Sequence, residues 1–262
     1  MRHIGDVIRE TISIPINIRA GATLPTKDAP KCPICNDAGY LRMDAPVGHP
    51  NFGRLFPCEC TVKRREERLV DELWQLSNLD ALADLTFENF DSTADGLREA
   101  YEEARAYAKS LQGWIFFHGP CGIGKTHLAV AIAQYAMDRA KLGVYFSVVP
   151  DLLDQLRATF DPANGIAYDE RFNQIRNCQL LVLDDLGTEN TTPWAREKLY
   201  QILNHRYNEH RPTVITSNQP FERIEERILS RLSDTRLTRY LWIDAEDYRR
   251  RRRAAEGDSA RR

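Results

Sequence analysis

Short apolar runs alternate with longer amphipathic stretches through most of this chain of 262 residues. Five of these runs predict buried strands, because each is short, nearly unbroken and bounded by glycine, proline or polar residues. Strands that alternate with helices in this way are typical of an α/β fold with a central parallel sheet. The predicted strands are Trp114–His118, Gly143–Val149, Leu180–Asp185, Thr213–Asn218 and Leu237–Ile243.

Seven longer stretches carry apolar residues at helical spacing. Residues 1–30 have weak periodicity and three prolines, so we expect a short helical start followed by a linker. The five arginines Arg249–Arg253 open a polar tail that we expect to be disordered, with electrostatic contact to nucleic acid as the alternative. The predicted helices are Val62–Leu85, Ala94–Gln112, His127–Arg139, Asp151–Phe160, Tyr168–Arg176, Pro193–His210 and Glu222–Leu232.

The composition is that of a globular protein, and the net charge of −2 argues against a chain that binds polyanions through its overall charge. No stretch has the length and hydropathy of a membrane span, and residues 1–19 lack the apolar core of a signal peptide. We therefore expect a cytoplasmic protein. Its six cysteines should be reduced there, so clustered cysteines indicate a metal rather than disulfides.

Four of the cysteines lie in two pairs, Cys32-Pro-Ile-Cys35 and Cys58-Glu-Cys60, with 22 residues between the pairs. Two such pairs can place four thiolates tetrahedrally around one Zn²⁺. The segment between the pairs is rich in glycine and proline and could not form a core alone, so metal binding would supply the missing folding free energy. Free thiols or a redox pair are the alternatives, and His49 could replace one cysteine. Catalytic zinc is not expected, because four thiolates leave no open coordination position.

The segment Gly119–Thr126, Gly-Pro-Cys-Gly-Ile-Gly-Lys-Thr, fits the phosphate-loop template G-x-x-x-x-G-K-[ST] at every fixed position. It lies between a predicted strand and a predicted helix, where backbone N–H groups and a helix N-terminus can cradle phosphate. We expect Lys125 to reach the terminal phosphates and the Thr126 hydroxyl to ligate Mg²⁺. The alternative is a chance glycine turn. The residues predicted to bind nucleotide are Gly119, Pro120, Cys121, Gly122, Ile123, Gly124, Lys125, Thr126 and His127.

Two carboxylates end the third apolar run. We expect Asp184 to orient Mg²⁺ through its water shell and Asp185 to polarise the attacking water; two exposed turn aspartates are the alternative. Asn218 ends the next run and is predicted to touch the γ-phosphate or the attacking water. The alternative for Asn218 is a helix N-cap before Pro220.

Arg231 lies near the end of the last predicted helix. From there it could reach the ATP of a neighbouring subunit as an arginine finger. The alternative is an ordinary surface arginine, since the same region carries several others. The predicted catalytic set is therefore Lys125, Asp184, Asp185, Asn218 and Arg231.

Taken together, these motifs resemble the AAA+ ATPases of the DnaC/DnaI helicase-loader and IstB group. The Lys-Thr-His-Leu continuation of the phosphate loop and the Asp-Asp-Leu-Gly strand end at 184–187 are closer to that group than to phosphate-loop ATPases at large. The turn Thr86–Asp91 resembles the segment that precedes this ATPase core. The resemblance covers residues 86–244. The four paired cysteines resemble the zinc-binding N-terminal part of DnaI-like and phage-type loaders, which IstB helpers generally lack.

The resemblance implies an αβα core with ATP and Mg²⁺ at a subunit interface, a homo-oligomer on single-stranded DNA, and an N-terminal module that grips a hexameric replicative helicase. It divides the chain into a zinc-binding and helical linker module at 1–85, an AAA+ core at 86–244 and a basic tail at 245–262. A full helical lid is not expected, since little chain follows Ile243. We therefore expect an ATP-dependent helicase loader. Two alternatives stay open: an IstB-like helper that recruits a transposase to duplex DNA, and a zinc-dependent adaptor whose ATPase is vestigial.

Overall fold

The structure, a computed structural model, describes residues 18–20, 30–77, 79–93, 96–160, 168–189 and 192–248. The predicted linker before residue 30 lies outside these residues except for a short strand, and the arginine run at 249–253 lies wholly outside them. The chain forms two compact units, Met1–Leu69 and Val70–Arg262. Residues 70–85, which the sequence analysis assigned to the N-terminal module, thus belong to the second unit.

The first unit contains a small antiparallel sheet that the sequence analysis did not predict. Its strands are β1 (Ile18–Ala20), β2 (Tyr40–Met43) and β3 (Leu55–Pro57), in the order β1-β2-β3. Strands of three or four residues are too short to produce a recognisable alternation of polar and apolar residues. Among the described residues of this unit, the buried cluster consists of Cys32, Cys35 and Cys58, with Leu41 and Cys60 partly buried against them, so these residues offer little apolar packing.

The second unit is built on five parallel strands in the order β5-β6-β7-β4-β8. These strands are β4 (Trp114–His118), β5 (Val144–Val148), β6 (Leu180–Asp184), β7 (Thr213–Ser217) and β8 (Thr238–Trp242). Helix α1 (Glu59–Ser77) begins in the first unit and ends in the second. The other α-helices among the described residues are α2 (Arg98–Ser110), α3 (Lys125–Ala140), α4 (Val149–Ala158), α5 (Tyr168–Asn177), α6 (Pro193–Asn208) and α7 (Glu226–Leu232). No described helix has the length and hydropathy that a membrane span requires.

The sheet is covered on both faces, so its strands are apolar throughout rather than alternating. In β4, Ile115 and Phe117 join the core that includes α2 and α3. Trp114 and Phe116 point the opposite way and join the core that includes α4, α5, α6 and α7. Two cores on either side of one parallel sheet confirm the predicted αβα fold.

Several predicted helices are shorter in the structure, among them Ala94–Gln112, which is helical over Arg98–Ser110, and for two others the structure shows the reason. The stretch predicted to be helical up to Leu85 leaves the α-helix at Ser77, whose hydroxyl accepts the Phe146 N–H (2.9 Å) and so ties the helix end to β5. The helix predicted from Glu222 begins only at Glu226. Ahead of it, Ile224 is extended, with ψ of 133°, and this places its side chain in the core.

Arg206 on α6 is fully buried and secures the amino ends of two central strands. Its Nε donates to the Thr213 hydroxyl (3.0 Å), and its Nη1 donates to the carbonyls of Arg176 (3.0 Å) and Cys178 (2.9 Å). Burial lowers the pKa of this guanidinium. Its partners are neutral, so the bonds compensate desolvation without forming an ion pair. Arg206 therefore fixes α6 to the starts of β6 and β7.

We expect Arg206→Ala to lower the free energy of unfolding by about 3 kcal/mol, because several buried carbonyls lose their donor at once. Arg98→Ala is the control: that side chain is 83% exposed and pairs with Glu102, so its loss should cost at most about 0.5 kcal/mol. Urea unfolding of the full chain measures both values. Equal losses in the two variants would contradict the structural role of Arg206.

Candidate functional site

The phosphate loop connects β4 to α3 and needs glycine at both of its ends. Gly119 has φ of +147°, and a Cβ there would lie 2.2 Å from the Ile243 carbonyl oxygen. Gly124 has φ of +93°, and a Cβ there would lie 2.7 Å from the Phe90 ring. Any larger residue at either position would be strained and would clash. The loop is therefore packed closely against the Ile243 backbone at one end and the Phe90 ring at the other.

The helix that follows the loop begins without a side-chain cap. Gly124 occupies the N-cap position and, as a glycine, has no side chain with which to cap the first turn of α3. The free N–H groups at the start of a helix carry a partial positive charge and suit a phosphate. This donor set fits the β-phosphate of a nucleotide, as the phosphate-loop motif predicts.

Lys125 lies within the loop and is 6% exposed. Its Nζ donates to the carbonyls of Gly119 (2.9 Å) and Pro120 (2.6 Å). Burial lowers the pKa of Lys125, while the nearby Cys121, Asp185 and Asp184 act in the opposite direction. An ammonium buried beside carbonyl dipoles is positioned to exchange them for phosphate oxygens.

Asp184 at the end of β6 meets the first helical turn after the loop. The Thr126 hydroxyl lies 3.0 and 2.9 Å from the two carboxylate oxygens of Asp184. The Thr216 hydroxyl donates to Asp184 Oδ1 at 2.6 Å. Burial raises the pKa of Asp184, and the hydrogen bonds from both threonines oppose that shift. Hydroxyl and carboxylate oxygens are the ligands that Mg²⁺ prefers, so Thr126 and Asp184 fit the predicted metal site.

Asp185 and Asn218 lie on the same cavity wall as Lys125 and Thr126. Asn218 follows β7, which pairs directly with β4, and its amide nitrogen lies 3.1 Å from Cys121 Sγ. The parallel sheet thus brings together the loop, the Asp184–Asp185 pair and Asn218 as predicted. Their individual roles stay predictions.

The cavity has a volume of about 760 Å³, a size suited to a nucleotide. Sequence reasoning missed two parts of its wall. One part is the segment between Leu82 and Asp91, whose compact turn was recognised without a binding role. The other is Tyr248, which no sequence signal connects to the loop. Its N–H donates to the Gly122 carbonyl (3.0 Å). The residues that line the cavity are Leu82, Asp84, Leu85, Asn89, Phe90, Asp91, Leu97, Cys121, Gly122, Ile123, Gly124, Lys125, Thr126, His127, Asp185, Asn218 and Tyr248.

His127 anchors the turn beside the cavity. Its Nε2 lies 2.7 Å from the Thr86 carbonyl, and its ring packs edge-on against Phe90. Burial lowers the pKa of His127. The neutral ring therefore donates to that carbonyl and holds the turn against α3, a contact that sequence reasoning did not foresee.

Arg231 lies outside the cavity wall. Its guanidinium donates to the Asn204 side chain (2.6 and 3.0 Å) and to the Tyr200 hydroxyl (3.1 Å), both on α6. It also lies over the Tyr200 ring, 5.0 Å from the centroid. Within one chain Arg231 thus contacts its own helices, and the finger role, which requires a neighbouring subunit, stays a prediction.

The four paired cysteines converge as the spacing predicts. The sulfur atoms of Cys32 and Cys58 are 3.8 Å apart, those of Cys35 and Cys60 are 3.4 Å apart, and all four lie within 4.8 Å of one another. A tetrahedral zinc site with bonds of about 2.3 Å has sulfur–sulfur edges of about 3.8 Å. The set therefore fits zinc. His49 is exposed and accepts a hydrogen bond from the Asn51 N–H, so the structure does not place it among the ligands.

The thiols of this cluster differ in acidity. N–H groups of Cys35 and Ile34 lower the pKa of Cys32 to about 7, whereas burial raises that of Cys58 to about 12. The Asp37 carboxylate accepts the Cys32 N–H (2.9 Å) and fixes the first knuckle. A bound cation would favour the thiolate form at all four positions. Because protons compete with the metal for these sulfurs, acid should release it.

A second candidate surface combines rings and cations from α4, from the turn that follows it, and from α5 and α6. Phe160, which is 56% exposed, stacks on Tyr168 with ring centroids 4.9 Å apart and meets Trp194 edge-on at 6.0 Å. Arg157 lies 5.0 Å above Trp194, and Lys198 lies 5.3 Å above Tyr168. We call Phe160, Tyr168 and Trp194 the aromatic patch. Sequence reasoning found no such combination, because these residues are far apart along the chain.

Comparison with known proteins supports the resemblance inferred from the motifs. A family model described as "IstB-like ATP binding protein" matches residues 54–254, most of the chain. The replicative helicase loader DnaC of Escherichia coli (strain K12) is 30% identical over 162 residues. That alignment covers 60% of this chain and 65% of the relative, slightly less than two thirds of its length.

Solved structures agree with the fold. A crystal structure of the DnaC helicase loader has a TM-score of 0.55 and 25% identity, and the match covers 62% of this chain and 97% of that one. The replication initiator DnaA bound to AMPPCP and single-stranded DNA also has a TM-score of 0.55, with 24% identity and coverage of 62% and 50%. Because the sequence identity is only 24%, the DnaA match supports the fold and nothing further. Both confirm the predicted AAA+ architecture.

We expect the purified chain to bind about one zinc ion and Cys58→Ser to lose it, because a buried serine cannot supply a thiolate to a tetrahedral site. Cys121→Ser is the matched control, since that cysteine is exposed and lies outside the cluster. Metal content after dialysis measures both. Lowering the pH should release zinc from the parent chain. Zinc retained by Cys58→Ser, or lost equally from Cys121→Ser, would contradict a four-cysteine site.

Proposed function

This chain belongs to the family of IstB-like ATP-binding proteins, and on that premise we propose that it loads a replicative helicase onto single-stranded DNA under the control of ATP. The observation that carries the proposal is the convergence of three side chains. Lys125 and Thr126 line the cavity, and Asp184 is hydrogen-bonded to Thr126. An intact constellation of this kind argues against a vestigial ATPase. The sequence similarity to DnaC supports the loader over other AAA+ functions.

In this proposal the chain hydrolyses ATP with Mg²⁺. When bound, Mg²⁺ neutralises the charge that develops on the phosphate oxygens. Thr126 and Asp184, whose side chains meet in the structure, are the residues that would hold the ion. Lys125 exchanges its bonds to the loop carbonyls for bonds to the terminal phosphates. Asp185 orients the attacking water, and Asn218 contacts the γ-phosphate or that water.

The ATP site also acts as a switch between subunits. Arg231 of one subunit would meet the γ-phosphate held by the next, so ATP would join neighbouring subunits into a homo-oligomer. Hydrolysis would remove that bridge and loosen the assembly. The bonds from Arg231 to Asn204 and Tyr200 hold its guanidinium in one orientation before assembly. In this proposal, hydrolysis of the bound ATP controls when the protein releases its partners.

The aromatic patch supports single-stranded DNA as one partner. Phe160 is exposed while Tyr168 and Trp194 are partly buried beside it, and an exposed ring can stack on bases of any sequence while nearby cations attract the phosphate backbone. Arg157 and Lys198 provide such cations next to Trp194 and Tyr168. Binding at this patch would be local, which is compatible with the net charge of −2 for the whole chain.

The cysteine module is proposed to bind the helicase. Zinc would hold the two knuckles and the β2–β3 hairpin as one rigid unit. Exposed apolar side chains on that unit, such as Leu55 (65%) and Phe52 (54%), could be covered by a protein partner.

The runner-up function is a transposition helper that recruits a transposase to duplex DNA, and the family description favours it. The cysteine cluster favours the loader, by the resemblance to zinc-binding loaders.

We expect Phe160→Ala to weaken binding of single-stranded DNA about tenfold, because stacking of one base on one ring contributes about 1–3 kcal/mol. Trp242→Ala is the control, since Trp242 lies outside the patch and is exposed to the same 56%. Fluorescence anisotropy of a labelled oligothymidylate at one fixed salt concentration measures both. A weakening by the control as large as that by Phe160→Ala would refute the patch as the DNA site.

The helicase assignment is tested by capture from native cell extract with the tagged full chain. We expect a hexameric replicative helicase to co-purify with it; a transposase in its place would establish the runner-up function. The captured helicase is then mixed with a closed circle of single-stranded DNA. A circle has no free end that could be threaded through a ring-shaped helicase. The parent chain with ATP should leave helicase stably bound to the circle.

Lys125→Ala should abolish that retention, because the terminal phosphates lose their cation. Lys109→Ala is the matched control: Lys109 is exposed on the last turn of α2 and should leave loading unchanged. Helicase that stays on the circle equally well with Lys125→Ala would show that ATP does not drive loading.

A further inference from the structure

Thr216 connects both members of the carboxylate pair. It is fully buried near the end of β7. Its hydroxyl donates to Asp184 Oδ1 (2.6 Å) and accepts the N–H of Asp185 (2.9 Å). A hydroxyl has one proton to donate and lone pairs to accept, so this single side chain satisfies both neighbours.

The turn held in this way has an unusual backbone. Asp185 has φ of +57°, a left-handed conformation that costs free energy for a residue with a side chain. β7 supplies the bonds that hold it: the Thr216 hydroxyl binds the Asp185 N–H, and the Thr216 carbonyl accepts the Leu186 N–H (2.9 Å). Ser217 adds a bond from its hydroxyl to the Leu186 carbonyl (2.6 Å). The direction of the Asp185 side chain therefore depends on contacts from a neighbouring strand.

These contacts begin where regular strand pairing stops. The last paired residues of β6 and β7 are Leu183 and Ile215. Beyond them, Thr216 continues the connection through its side chain. Asn218 follows two residues later on the same strand end and lines the cavity with Asp185. One short segment thus sets the positions of Asn218 and of the carboxylate pair together.

We propose that Thr216 is a positioning residue for ATP hydrolysis. Its hydroxyl holds the Asp184 carboxylate in the direction of the metal site. The same hydroxyl holds the Asp185 backbone in the conformation that directs the Asp185 carboxylate into the cavity. This inference rests on the proposed ATPase function. Thr216 does not line the cavity and touches no reacting atom; it acts through Asp184 and Asp185. The hydroxyl is the essential group, because both bonds end on it.

The test compares Thr216→Val, which keeps the shape and removes the hydroxyl, with Thr216→Ser, which keeps the hydroxyl. The first readout is amide hydrogen exchange at Asp185 in the full chain without nucleotide. We expect exchange about tenfold faster or more in Thr216→Val, because that N–H loses its acceptor, and near-parent exchange in Thr216→Ser. Thr216→Ala is a second variant without the hydroxyl, for use if the valine variant does not fold.

The second readout separates binding from chemistry. In Thr216→Val we expect kcat to fall about tenfold or more and the Mg²⁺ concentration for half-maximal hydrolysis to rise, while affinity for a fluorescent ATP analogue changes less than about threefold. Thr216→Ser should restore both hydrolysis values. Unchanged Asp185 exchange in the hydroxyl-free variants, or an equal loss of kcat in Thr216→Ser, would overturn the inference. A parent chain that binds but does not hydrolyse ATP would instead overturn the proposed function, and amide exchange would still decide whether the hydroxyl holds the turn.

Discussion

The hydrogen bonds that converge on the Asp184 carboxylate are the interaction on which the rest of the site depends. Through them, Thr126 after the phosphate loop and Thr216 on β7 meet the end of β6. The carboxylate is 3% exposed, and burial without these donors would strongly disfavour its charge. Because the three elements meet only if the sheet has its observed strand order, the site and the fold support each other.

The opposite end of the sheet is held by different chemistry. There, the buried Arg206 guanidinium binds neutral groups just before β6 and at the first residue of β7, whereas at the carboxyl ends hydroxyls bind an acid. Fixing both ends of these two strands keeps Asp184 and Asn218 in register with the loop beside β4. This rigidity matters for catalysis, since groups that stabilise a developing charge must be in place before the reaction.

The two units gain stability in different ways. The second unit buries two apolar cores against a five-stranded sheet. In the part of the first unit that the structure describes, few side chains other than the cysteines are buried, so a metal would contribute much of the free energy that holds these residues together. A module of this kind can present apolar side chains such as Leu55 to a partner without relying on them for its own core.

The amino-acid sequence alone was enough to predict the α/β class, the five core strands within a residue or two, the phosphate loop and the convergence of the four cysteines. These features are local or periodic, so neighbouring residues suffice to predict them. The aromatic patch, the contact of Tyr248 with the loop and the bonds of Thr216 to Asp184 and Asp185 became visible only in the folded chain. The same holds for the break ahead of α7, where burial of Ile224 overrides helical periodicity. Such features join residues that are distant along the chain, and their energies arise only when packing brings them together.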